Sequence, residues 1–582
     1  MTEPGDHPRV RMVHGSLGLG LLTLLVVIGA VALVVASHGA LSHTVDEPTH
    51  MAVGMQWLQE GSVSIHAESP PLGRVTAGLG PHLRGLELPA KGAPFRRGTE
   101  VLYARGAPEY QHTLAAARLG TLPWLLLAAA VVWAWARRRG GAVAAAVATT
   151  FLVTLPPMLG HAGMANTDLA MAAAYAAAVW GASCWLERPT LGRSVAFGLG
   201  FGLALCVKYS ALVLFPPCFL ALALLRWLGR APEPTAVAPR AGTWLRGLLV
   251  AGTVAVVLLW ASYGFAVGAM AEVRGAELAR RLAFSAEGGV GRRVLGALWN
   301  VPLPAPEAGI GLLLLVAHAS HGHPAYLLGQ TSQAGFWLFY PVALLVKTPL
   351  PFLMLLATTA LALCRGAGSA LDRRAFAPLL AGFATLAAAL PSSVNIGLRH
   401  VLVVYPLFAV SAGLGAAAWL QRAATRGRRA LVGTTLVALI GWQVAIAAVT
   451  HPHYLAYFNP LAGSEPGELL VDSDLDWGQD LLHLAAFCRA HQVPELHVAY
   501  FGSAHLCEHG LPPLRWLPPG ERVRGWVAVS EMYFRDLWHQ TFDDACDRSR
   551  GQTSTVTDGY GWLRDHELVG IAGRSIRVYR VR

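Results

Sequence analysis

Arginine clusters cut this chain into long apolar runs, and no other feature restricts its fold so strongly. Arg137-Arg138-Arg139, Arg188 with Arg193, Arg226 with Arg230, Arg373-Arg374 and Arg426 with Arg428-Arg429 each border a stretch of apolar residues. About 20 such residues suffice to cross a bilayer as a helix. Charged residues make up 14% of the chain and hydrophobic ones 54%, where soluble domains carry roughly 25% charged residues. A large soluble core is therefore excluded, and a polytopic membrane bundle is implied. The net charge of +11 follows the same clusters, as in cytoplasmic loops of membrane proteins, and implies no nucleic-acid partner.

With Arg9 and Arg11 inside, the positive-inside pattern predicts about 11 spans, with a membrane domain over 1–449 and two long outer loops, 37–112 and 267–335. The first apolar run, Leu17 to Ala36, reads as a retained span, because an acidic pair follows it where a cleavage site would need small residues. Ser194 to Leu225 decides the topology: one helix of that length would span about 48 Å, too long for a core of about 30 Å. Arginines flank both ends, so the run is expected to break into two short spans near Lys208. Residues 336–363 are expected to form a single span carrying Lys347. The second outer loop holds Arg274, Arg280, Arg281, Arg292 and Arg293. They oppose the assignment by naive counting, but long loops report orientation poorly and basic interfacial segments hold lipid phosphates.

From His451 onward the composition becomes that of a soluble domain, 450–582, placed outside by the span count. Leu496–Phe501, Trp526–Val529 and Ile576–Val581 read as strands and Gln479–Arg489 as a helix, giving a small α/β domain. Of seven cysteines none forms a CxxC, so a metal–thiolate site is not indicated. Cys507 and Cys546 are free to pair in an oxidising compartment, leaving Cys488 unpaired. Cys184, Cys206, Cys218 and Cys364 lie in or beside apolar runs and read as small hydrophobes.

Polar residues that end on the outer side of this topology are the candidates for chemistry. Asp46-Glu47 follows span 1, Glu68 and Arg74 flank Pro70-Pro71, Asp168 opens span 4, Lys208 marks the break, and Asn395, Arg399 and His400 share a short loop. Each has a bland alternative: Asp46 and Asp168 as helix caps, Lys208 as a snorkelling side chain, the 395–400 loop as solvated polarity. Together they place acids beside bases at a membrane face, where ionisable groups are costly and usually functional. A carboxylate acting as general base beside cations that neutralise a departing phosphate suits transfer of a sugar from a lipid phosphate to a hydroxyl.

Several segments strengthen that reading by resemblance. DEPTH at 46–50, ESPPL at 68–72, ANTDLAMAA around Asp168, GLALCVKYSALVLFPP around Lys208, FYPVALLVKTPL, NIGLRHVLVVYP and YLAYFNPLAG with DSDLDWGQDL are similar, as a set, to the bacterial GT-C glycosyltransferases. The nearest branch is the family 39-like one of protein O-mannosyltransferases and aminoarabinose transferases. Ser69 stands where the aminoarabinose branch has Lys. The resemblance implies an inverting transferase in the bacterial inner membrane, with a polyprenyl-phosphate sugar donor and a protein, lipid A or glycan acceptor. It implies Asp46 as the base or acceptor-orienting residue with Glu47 beside it. Lys208, Arg399, Lys347 and Arg74 would be donor-phosphate contacts, and Glu68, Asp168, His400 and Asn395 would support the site. Asp46 and Asp168 would permit Mg²⁺ or Mn²⁺ without requiring it.

Two further clusters have plainer readings. His318, His321 and His323 form an HxxHxH group, read as interfacial histidines ahead of a metal site. Asp472, Asp474 and Asp476 lack the glycine and distal glutamate of a calcium loop and read as a turn, with Asp476 capping a helix. The rival class is a transporter or lipid flippase, which would show internal repeats and charge near the midplane. A non-catalytic scaffold leaves the acidic loop unexplained.

Overall fold

A computed structural model describes residues 8–64, 66, 68–228, 240–273, 275, 276, 278, 296–364, 370–538 and 559–582. The five second-loop arginines, Arg230 and Cys546 lie outside the described residues.

The chain is a helical membrane bundle carrying a C-terminal sheet domain. In order come α1 (Pro8–Ser37), α2 (Glu47–Glu60), α3 (Leu72–Leu83), α4 (Pro94–Tyr103), α5 (Ala107–Leu119), α6 (Leu122–Val153), α7 (Pro156–Ala162), α8 (Asp168–Glu187), α9 (Leu191–Val207), α10 (Ala211–Leu228) and α11 (Ala241–Ser262). After them follow α12 (Pro306–His321), α13 (Phe339–Lys347), α14 (Leu350–Cys364), α15 (Ala370–Ala389), α16 (Val404–Arg422), α17 (Arg426–Thr450) and α18 (Leu481–Ala490).

Among the described residues, seven helices are long and apolar enough to cross a membrane, eight with the bent pair α13–α14. The larger expected number is recovered from breaks and short helices. Gly141, at φ 81°, splits α6 in two, while α9 and the described part of α15 are apolar but shorter than a full span. The expected break in 194–225 falls at Lys208, the extended residue ending α9. The expected single span over 336–363 is corrected: α13 and α14 meet at 117°, because Pro349 follows Lys347-Thr348 and a residue before proline is driven out of the helical region.

Burial sorts the helices by layer. The apolar window of α16 is 83% buried, against 17% for α1 and α11 and 22% for α17. So α16 is the centre, packed on α6, and the others present Leu25, Leu249 and Val437 outward as a lipid-facing surface would. Small residues permit the central contact: a Cβ on Gly413 would lie 2.3 Å from the Ala144 carbonyl. Lacking a hydrophobic drive between helices in lipid, such bundles gain cohesion from close backbone approach.

Helices α2 to α5 fill the first long loop and form a satellite core around Met51, Met55, Leu102 and Leu114. The C-terminal domain has a five-stranded sheet ordered 514–516, 496–499, 525–530, 576–581, 567–572. The first three strands pair in parallel, and 576–581 runs antiparallel to both its neighbours, 525–530 and 567–572. The sequence located three of these strands. It missed 514–516, which is short, and 567–572, an edge strand with exposed Glu567 and Leu568. Cys507 is disulfide-bonded, and Cys488 is free.

Candidate active site

The site forms where four chain breaks converge: the start of α2, the start of α8, the α9–α10 break, and the 395–401 loop before α16. Two ion pairs define it. Arg399 donates from Nη1 to Asp46 Oδ2 at 2.6 Å, and Lys208 donates from Nζ to Asp168 Oδ1. His161 adds its Nδ1 at 3.7 Å from the second Asp168 oxygen. The pairs sense one another: Arg399 acts electrostatically on Asp168, and Asp168 on Asp46. Burial pushes the Asp46 carboxyl up, but the Arg399 guanidinium more than reverses this and leaves it below the usual carboxylate range. Arg399 itself stacks on Trp477, 4.4 Å from the ring centre. The Asp46 side chain is 35% exposed, so this carboxylate is ionised and reachable.

Glu47 has a different environment. It is buried, and Arg118 grips both its oxygens, Nε to Oε1 at 2.8 Å and Nη2 to Oε2 at 2.9 Å. The backbone N–H groups of Thr44 and Ala165 donate to it at 2.7 and 2.8 Å. Arg118 spends its other protons on the carbonyls of His38, Leu41 and Ser42. No lone pair of Glu47 faces a reactant; the side chain fixes the loop that presents Asp46. The paired catalytic carboxylates expected from sequence thus divide into one reachable and one locked.

Lys347 and Asn395 are also withdrawn from direct contact. The ammonium of Lys347 is buried at the α13–α14 break, donating to the carbonyls of Leu455 (2.6 Å) and Asp474, with the Phe458 ring 4.1 Å away. Asn395 accepts the Phe336 N–H at 2.6 Å and donates to Ser392, shaping the loop that carries Arg399. Arg74 is buried, donating to the His66 carbonyl at 2.9 Å and meeting the His66 ring at 3.1 Å. Its Nε has no hydrogen-bond partner. Glu68 is half exposed, 3.6 Å from His66. His400, beside Lys208 and Arg399, is kept neutral by burial, its pKa pushed well down.

The sequence does not single out His50 or Arg118, and it reads Asp472 only as part of a turn. His50, one turn along α2 from Asp46, is driven down to about 3 by burial, with Arg74 adding to the effect; its Nδ1 lacks a partner. Its signal was the i,i+4 spacing from Asp46, which sets both on one helix face. Arg118 gave no signal, being one arginine among many. Asp472 adopts φ 48°, and burial pushes its carboxyl up to about 7 despite the nearby Arg399.

The aspartate-rich stretch is corrected as well. Asp476 caps no helix, since α18 starts at Leu481. It accepts the N–H groups of Gly478 and Met532, while Asp474 accepts that of Leu398 at 3.1 Å. This strap joins the Arg399 loop to the C-terminal domain. In the histidine group, His321 and His323 each direct Nδ1 at a backbone carbonyl, at 2.7 and 2.9 Å.

Residues 110–260, which carry both Asp168 and Lys208, match the family model described as dolichyl-phosphate-mannose-protein mannosyltransferase. The matched segment runs from α5 to α11 and so includes the Lys208–Asp168 pair of the site. Among solved structures the chain is similar to ArnT from Cupriavidus metallidurans bound to undecaprenyl phosphate, at 15% identity, covering 95% of this chain and 97% of that one with a TM-score of 0.47. It is also similar to the oligosaccharyltransferase AglB from Archaeoglobus fulgidus in complex with an inhibitory peptide and a dolichol-phosphate, at 12% identity, 88% and 70% coverage and a TM-score of 0.45. No curated protein matches the chain significantly.

Proposed function

We propose that this protein transfers a sugar from a polyprenyl-phosphate donor to a hydroxyl acceptor at the extracytoplasmic face of a bacterial plasma membrane. The observation that carries this reading is the reachable, ionised Asp46 beside Arg399, with Lys208 and Asp168 in the same electrostatic neighbourhood. In the reaction the acceptor oxygen attacks the anomeric carbon, its proton passes to Asp46, and the bond from that carbon to the phosphate oxygen breaks. The electron pair leaves on polyprenyl phosphate, and a single displacement inverts the configuration. Arg399 and Lys208 take up the phosphate charge as it develops. Neutral His50 and His400 offer uncharged partners for sugar or acceptor hydroxyls, and Arg74 has a donor to spare for the donor lipid.

The low pKa of Asp46 makes it a weak base held fully ionised, so its main contribution is orienting the hydroxyl and receiving the proton late. Mg²⁺ or Mn²⁺ at Asp46 and Asp168 would have to displace Arg399 and Lys208 from those carboxylates. The two cations already balance the two acids, so no step is routed through a metal.

The test is release of polyprenyl phosphate from a panel of labelled polyprenyl-phosphate sugars by purified protein in detergent, wild type beside Asp46→Asn. Loss of a general base costs about 10²- to 10⁴-fold, and the variant should remain folded. Full activity in the variant removes Asp46 from the mechanism. A well-folded wild type that releases nothing with any donor and acceptor favours the transporter reading, to be followed by liposome flux.

A further inference from the structure

We propose that His453, Asp480 and His483 form a binding site for a divalent transition-metal ion of the zinc type, seated where the last membrane helix hands over to the C-terminal domain. His453 lies just past α17, and Asp480 and His483 sit at the start of α18. One ligand atom from each lies within 4.8 Å of the others. Asp480 Oδ1 is 3.7 Å from His453 Nδ1 and 3.5 Å from His483 Nδ1. Zinc bonds of about 2.0–2.2 Å to nitrogen and oxygen put tetrahedral ligands roughly 3.3–3.5 Å apart, so the two edges need shifts of only tenths of an ångström.

The polar inventory of the site points to an occupant. The Asp480 side chain is 0% exposed, yet its Oδ1 has no hydrogen-bond partner, and neither has His483 Nδ1. Leaving a buried carboxylate oxygen and an imidazole nitrogen unpaired is costly, and both atoms face the same point. The other oxygen, Oδ2, is held by the Arg574 backbone N–H at 2.7 Å and the Ser575 hydroxyl at 3.0 Å. Such outer contacts aim a first ligand at a metal. Two imidazoles and a carboxylate select zinc-like ions over Mg²⁺ or Ca²⁺, which prefer oxygen throughout. His453 is 17% and His483 28% exposed, leaving the fourth position to water.

The location gives the ion a purpose. Leu481 N–H donates to Ser42 Oγ, and Ser42 N–H to the Gln479 carbonyl; the Ser42 carbonyl receives Arg118, which holds Glu47. A metal here would tie three things together: the segment leaving α17, the first helix of the domain, and the 573–575 turn. It would thereby fix the domain against the loop that presents Asp46.

The test uses full-length protein in detergent, stripped with chelator and titrated with Co²⁺ and then Zn²⁺. The wild type should bind one Co²⁺ per chain with visible absorption of a tetrahedral site, displaced by Zn²⁺ and not by Mg²⁺. His453→Gln and His483→Gln should each lose that binding at least tenfold. Zinc should raise the melting temperature of the wild type only, with chelated wild type and variants melting alike. A folded wild type that binds no stoichiometric metal, or variants that bind as well as it does, overturns the assignment. Should a variant fail to fold, X-ray absorption of the zinc-loaded wild type decides: a first shell without imidazole overturns the proposal.

Discussion

Asp46 and Glu47 are neighbours in sequence with the same chemistry, and their surroundings give them separate work. Glu47 is sealed with Arg118, and removing one charge of a buried pair strands the other at a cost of roughly 3–5 kcal/mol. Glu47→Gln should therefore lower thermal stability by that order and lose activity through unfolding. Asp46→Asn, removing a partly exposed partner, should change stability by under about 1 kcal/mol while abolishing transfer. Thermal melting of both variants in detergent separates the roles: equal melting temperatures would mean that Glu47 carries no structural load. Sequence alone flagged the pair because acids at a membrane mouth are costly. It could not split them, since the split depends on Arg118 and Ala165, more than seventy residues away.

At the scale of elements, the site is held by close helix approach and by helices that stop early. Gly54 of α2 meets α3 so tightly that a Cβ would lie 2.0 Å from the Arg74 carbonyl, and Gly78 returns the contact with 2.4 Å to the Met55 nitrogen. Because α2 carries His50 and α3 carries Arg74, separating these helices moves two site residues at once. Gly54→Val should lower both melting temperature and transfer rate, with overpacking costs of about 1–3 kcal/mol, whereas Gly252→Val, with open space around it, should leave both unchanged. An unaltered Gly54→Val protein would show that the α2–α3 contact gives way freely. Breaks matter as much as contacts. Lys208 and Lys347 both end helices, but Lys208 meets a carboxylate and Lys347 meets carbonyls. The pattern of apolar runs showed the Lys208 break. It did not show the one at Lys347, where a continuous apolar stretch concealed the bend imposed by Pro349.

For the whole molecule, α8 sets the orientation. Asp168 opens it and Glu187 closes it, and its 20 residues span about 30 Å, so the two ends lie at opposite faces of a bilayer. Glu187 gathers Arg138, Arg139 and Arg193, a basic cluster that the proposed orientation puts in the cytoplasm. Asp168 is on the other face with Lys208, and Trp477 of the 450–582 region stacks on Arg399 there. The site and the C-terminal domain thus share one side. In a chain with Cys364 replaced, His112→Cys and Arg515→Cys, both well exposed, should react with an impermeant thiol reagent from outside intact cells, and Arg188→Cys only after lysis. Labelling at 515 only after lysis would reverse the proposed orientation.

The sequence by itself determined the membrane class, the run of spans, the Lys208 break and the main candidates Asp46, Asp168, Lys208 and Arg399. All of these follow from hydropathy, charge placement and short motifs, which are local properties of a chain in a bilayer. Tertiary structure alone decided that Glu47, Lys347 and Asn395 face inward to structural partners and that His50 joins the site. It also decided that the DSDLDWGQD stretch straps the bundle to the sheet domain, and that His453 meets Asp480 and His483. Those outcomes rest on which distant donor or carbonyl satisfies a buried charge, and pairings across hundreds of residues leave no periodic trace in the sequence.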